Sequence, residues 1–115
     1  MPFEKEDLEP LQIRYSEILC KDVRIDCEIG WYDIIEETLY QLFTISDELK
    51  IVSIGSNRDG ELSFSFREHC EDIATVLDNA RNLSQACCEI CGEIGKAIRK
   101  SSDKIAIRCD EHRMV

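Results

Sequence analysis

The feature that most constrains this chain is a pair of short motifs near its end. Cys88-Glu-Ile-Cys91-Gly92 and Cys109-Asp-Glu-His112 stand with seventeen residues between Cys91 and Cys109. Two ligand pairs one hairpin apart have the spacing of a structural zinc site. Zinc takes four ligands in a tetrahedron, and thiolates and imidazole suit its borderline-soft character. Cys88 and Cys91 would supply two ligands from one tight turn, in which Gly92 can adopt the left-handed backbone. Cys109 and His112 would supply the other two. A redox Cys-x-x-Cys is the competing reading, and the second matched pair counts against it. Cys87-x3-Cys91 is also an allowed spacing, so Cys87 competes with Cys88 as a ligand.

A chain of 115 residues is expected to form a single domain, with an acidic body over residues 1–87 and a zinc ribbon over 88–112. Its 43% hydrophobic and 33% charged residues are a globular balance. No apolar stretch approaches the length that spans a bilayer, and the acidic start does not read as a signal peptide. Seven cysteines are an odd count for a disulfide framework. They indicate a reducing compartment, which we take to be cytoplasmic. Cys20, Cys27, Cys70 and Cys87 read as partly buried small apolar residues.

The net charge of −10 is unevenly spread. Residues 96–113 hold six basic and three acidic side chains, which leaves −13 on residues 1–95. Such a body repels nucleic acid and attracts a basic surface, with solubility alone as the plainer account. Glu28, Asp33, Glu36, Glu37, Asp47 and Glu48 are the candidate partner-binding residues. The alternative is a nucleic-acid contact along Lys96, Arg99, Lys100, Lys104 and Arg108. The ribbon holds no aromatic residue for base stacking.

Periodicity predicts an α+β fold with N-terminal helices, a β-hairpin, a third helix and a C-terminal zinc ribbon. Residues 3–10 read as a frayed opening. Leu11, Tyr15, Ile18 and Leu19 suggest a short helix to about Lys21, in whose first turn Pro10 could sit without losing a needed hydrogen bond, and Val23–Cys27 a connector or strand. Trp31, Ile34, Ile35, Thr38, Leu39, Leu42 and Phe43 form one helical stripe ending near 46–49. Trp31 is expected in the core. Lys50–Ile54 and Glu61–Phe66 read as strands around the Ser56–Gly60 turn. Ile73, Val76, Leu77, Ala80 and Leu83, with Ser84 or Ala86, mark the third helix, and 97–99 with 104–108 the ribbon hairpin.

Three strings resemble a family of small proteins of phages and other mobile elements. They are Cys27-Glu-Ile-Gly30-Trp31-Tyr32-Asp33-Ile-Ile, the strand closing on Phe64-Ser-Phe66, and the two metal motifs. In that family a Gly-Trp-aromatic-Asp helix start precedes a hairpin, a helix and a terminal Cys-x-x-Cys-Gly…Cys-Asp-x-His zinc ribbon. The resemblance covers roughly residues 27–112 and favours Cys88 over Cys87 as ligand. It implies a zinc-ribbon fold and a mobile-element setting. By analogy of size, charge and origin, it also suggests an anti-CRISPR inhibitor of a type II effector nuclease. A toxin-neutralising immunity protein is the other binding-protein reading.

An enzyme reading has one foothold. His69-Cys70-Glu71 followed by Cys88-x-x-Cys91 mimics the zinc deaminase signature. The proline expected before the first cysteine is Cys87 here, and Cys109 and His112 would be left without a role. Four protein ligands leave the metal no open position, so the expected zinc is structural and the chain is not expected to be an enzyme.

Overall fold

The computed structural model describes residues 2–68 and 71–114. His69 and Cys70, together with the side chain of Glu71, lie outside the described residues, and with them the deaminase-like string.

The apolar stripe after Gly30 becomes the central helix, α1 being the shorter Lys5–Arg14 and α2 spanning Tyr32–Ile45. Ile35, Leu39 and Leu42 have no solvent exposure, and a turn of 3-10 helix over Ile29–Trp31 buries Trp31 as completely. Thr38 stays in the stripe because its hydroxyl donates to the Ile34 carbonyl at 2.7 Å, which leaves only its methyl to pack. Phe43 sits at the margin, edge-on to Tyr15 at 6.2 Å.

Three strands form the main sheet in the order β1 (Leu19–Asp26), β2 (Lys50–Ser56), β3 (Leu62–Glu68). β1 and β2 run parallel, and α2 makes the crossover that parallel pairing requires. β2 and β3 form the expected antiparallel hairpin. Leu62, Phe64 and Phe66 turn toward the core. Register irregularities beside Ile51 bring both Ile51 and Ile54 inside, although three-residue spacing on a regular strand would split them between faces. α3 (Ala74–Ser84) follows a 3-10 turn over Glu71–Ile73. The Ser84 hydroxyl donates to Arg81 O at 2.6 Å and accepts from the Leu62 N–H at 3.0 Å, tying α3 to β3. A separate hairpin, β4 (Lys96–Ser101) and β5 (Lys104–Arg108), forms the ribbon.

The N-terminal third differs from expectation. The helix lies at Lys5–Arg14 rather than from Leu11 to about Lys21, and Leu19–Asp26 is a strand. The opening is not frayed: the Asp7 carboxylate accepts the Glu4 N–H at 3.0 Å and fixes the helix start. Pro10 sits inside the helix, not in its first turn. Leu11, Tyr15, Ile18 and Leu19 are all buried, as their spacing implied, but from a helix, a turn and a strand in succession. In α3, Leu83 is 57% exposed and Ser84 takes the inward position.

Candidate metal centre

α3 ends at Ser84 and hands the chain within four residues to Cys88. The turn that follows is closed by Gly92 N–H donating to Cys88 O at 2.8 Å, with Gly92 at φ +84° as expected. Cys88 N–H donates to Glu93 O at 2.7 Å, squaring off the loop. The β4–β5 hairpin then carries the chain out and back. A final 3-10 turn over Asp110–His112 folds His112 under Cys109.

The result is convergence of the four expected residues. The ligand atoms of Cys88, Cys91, Cys109 and His112 all lie within 4.8 Å of one another. Cys91 Sγ and Cys109 Sγ are 3.6 Å apart, and His112 Nδ1 lies 3.8 Å from Cys88 Sγ and 3.2 Å from Cys109 Sγ. Thiolates about 2.3 Å from a zinc ion would stand about 3.8 Å from each other in a regular tetrahedron. The group is therefore of a size to close on one metal ion. Cys88 is fully buried, Cys109 nearly so, His112 half-buried and Cys91 exposed.

The electrostatics suit a cation. Burial pushes the Cys88 thiol up, but hydrogen bonds from the Cys109, Cys91 and Ile90 backbone and the Cys109 side chain outweigh it and bring it down to about 6. At Cys91 the Glu93 N–H favours the thiolate. Desolvation and the neighbouring Cys109 and Cys88 sulfurs oppose it and push the group up to about 11. One thiolate thus forms readily and discourages the next, a conflict that a divalent cation resolves.

The structure also separates the two adjacent cysteines. Cys88 Sγ joins the cluster, whereas Cys87 Sγ is turned to the carbonyls of Gly92 and Gly30, at 3.5 and 3.6 Å. Burial, Cys88 and Asp33 raise the Cys87 thiol. Cys20, Cys27 and Cys87 are free and half-buried, as expected of small apolar residues.

The support around the knuckle comes from residues whose role no motif announced. Gly30 N–H donates to Glu89 O at 2.7 Å, and the Trp31 indole donates to Cys87 O at 3.0 Å. A Cβ on Gly30 would run into the carbonyl oxygens of Cys88 and Glu89. Glu89 lies between Cys88 and Cys91 and is 7% exposed. Its carboxylate accepts the Glu28 N–H at 3.1 Å and meets Arg108 at 3.3 Å, an ion pair with both side chains about nine-tenths buried. The Gly-Trp adjacency was the only sequence signal for this support.

The acidic candidates do not form one patch. Asp33, Glu36 and Glu37 share the start of α2. Glu36 is bound to Arg14 at 2.7 Å, and Glu37 accepts from Gln41 at 3.1 Å. Asp47 and Glu48 lie past the other end of this 14-residue helix, about 20 Å away by helical rise. Glu28 is half-buried beside Glu89.

The basic candidates are divided too. Cross-strand register pairs Lys96 with Arg108 on one face of the hairpin and Arg99 with Ile105 on the other, and Arg108 is engaged with Glu89. Among the described residues, no helix is long and apolar enough to cross a membrane. No protein-family model matches the chain, and neither does any curated protein or solved structure.

Proposed function

We propose that this chain is a zinc-stapled, non-catalytic binding protein whose acidic body docks on a basic surface of a host protein. The observation that carries the metal half is the convergence of three thiols and one imidazole within 4.8 Å. Three thiolates and an imidazole are a zinc-type donor set, and four protein ligands leave no position for substrate. The partner half follows from charge. A net −10 concentrated in residues 1–95 favours association with a cationic surface and opposes direct nucleic-acid binding. The split register of the ribbon's basic residues further disfavours a phosphate-binding face. Reduced thiols and a thiolate metal site fit the cytoplasm of a bacterial host.

The specific partner we infer is a type II CRISPR effector nuclease, whose nucleic-acid groove has the required basic character. The protein would act as an anti-CRISPR inhibitor that blocks guide or target loading.

Metal content by mass spectrometry and the d–d spectrum of the cobalt-substituted protein test the centre. One tetrahedral metal per chain is expected, and its loss in Cys109→Ser would assign the ligands. The metal-loaded protein should then capture an effector–guide complex and suppress its cleavage. Reversing Glu28, Asp33, Glu36, Glu37, Asp47 and Glu48 together should abolish both effects. Unchanged inhibition by that variant would sink the acidic-docking reading. Capture of a basic toxin instead would make it an immunity protein.

A further inference from the structure

The metal centre is not sealed on all sides. Between the knuckle and the start of α2 lies a cleft of about 530 Å³, bordered by the metal ligands Cys91 and His112. Its apolar walls are Ile29, Ile90 and Tyr32. Tyr32 is held in place by stacking on Phe3, with ring centres 5.5 Å apart and planes 13° from parallel. Its carboxylates are Asp33 from α2 and Glu93 from the knuckle. Both are exposed, and among the described residues neither takes part in an ion pair. A zinc ion with three thiolates and a neutral imidazole would leave about one further negative charge on the centre.

We propose that this cleft is a socket for an arginine side chain of a basic partner protein. The inference rests on the partner reading above and gives that partner a point of contact. An apolar wall accommodates the methylene stem of a long cation, while carboxylates at the rim take its head. Arginine fits better than lysine. Its guanidinium is more weakly hydrated, presents five donors in a planar fork and can bridge two carboxylates, with the Cys91 thiolate as a further acceptor. The cleft between the hairpin and the ends of β1 and β2 is less suited to a cation, because Arg58, Lys104 and Arg108 line it alongside its carboxylates.

The test uses the zinc-loaded, 15N-labelled protein and the peptide acetyl-Gly-Arg-Gly-Arg-Gly-amide, at physiological ionic strength so that diffuse surface attraction is screened. Saturable amide shifts are expected at residues 29–33 and 90–93. The matched citrulline peptide, neutral but isosteric, should bind about fivefold or more weakly, and so should the Asp33→Asn/Glu93→Gln variant. Glu9→Gln, an exposed carboxylate on α1, should bind like the wild type. Zinc content and unshifted resonances elsewhere confirm that each variant is folded. Shifts scattered over the acidic surface, equal binding of the citrulline peptide, or an unaffected double variant would each overturn the socket. Failure of an effector nuclease to bind would not alter these readouts, so the two proposals fall separately.

Discussion

Gly30 and Cys27 show how much depends on a single atom. Gly30 is required by close approach rather than by a left-handed backbone, because its missing Cβ is the space that the Cys88 and Glu89 carbonyls occupy. Gly30→Ala must push the knuckle off α2 and lose the 2.7 Å bond to Glu89 O. We expect a loss of about 2–4 kcal/mol in urea unfolding, together with weaker metal retention. An unchanged midpoint would mean that the knuckle is free to shift. Cys27 offers a pH readout. Burial first, then Glu89, Asp26 and Glu28, push its thiol from about 9 up to about 12. A raised thiol keeps its proton longer in the folded state, so its contribution is fully present below pH 9 and is lost as pH climbs toward 12. Cys27→Ala should therefore flatten the fall of stability across that window relative to wild type, and parallel curves would refute this origin. At this scale the convergence of Cys88, Cys91, Cys109 and His112 was legible, because ligand chemistry dictates both residue type and spacing. Glu89 was not legible, since nothing in a sequence tells a buried carboxylate from a solvated one.

Elements were read well where one period ran long enough. α2 and β3 each carry an unbroken pattern, and α2 and the β2–β3 hairpin lie close to where the sequence put them. The region before them does not. Leu11, Tyr15, Ile18 and Leu19 keep helical spacing by coincidence, since the chain leaves the helix after Arg14 and enters β1 at Leu19. The parallel β1–β2 pairing was invisible because its strands are separated by all of α2. Pro10 added to the error: a proline reads as a helix start, and here it lies six residues into α1, where its ring displaces the bond that an N–H at this position would make to Glu6 O. Pro10 is exposed. Pro10→Ala should therefore stabilise the protein by about 1–2 kcal/mol, somewhat less than the full cost of an interior proline because the proline also restricts the unfolded chain. Thermal unfolding would check this, and a lower Tm would show that α1 depends on the proline.

For the molecule as a whole, the question is whether the ribbon is an appended finger or part of the body, and the packing argues for the second. Ile107 of β5 belongs to the same core as Trp31, Ile35 and Ile54. Gly60, at φ +77° in the β2–β3 turn, lies directly against the Ile105 carbonyl, and Ile105 N–H donates to Arg58 O at 3.3 Å. Trp31, Gly30 and Glu28 hold the knuckle from the other side. Releasing an ion held there would leave three sulfur atoms and an imidazole competing for one small volume, and the turn that carries them also anchors the entry to α2. Chelation should therefore loosen more than residues 88–112. We expect faster amide exchange at 28–33 as well as in the knuckle, and a change in Trp31 emission as its indole loses the Cys87 carbonyl. The central pairing of β2 with its neighbours should stay protected. The loss in stability should be about 2 kcal/mol or more, a fall in Tm on the order of 10 °C. Exchange confined to 88–112 with Trp31 emission unchanged would mean that the metal staples only its own loop. The start of α2, Asp33 included, would then be presented to a partner whether or not the ion is bound.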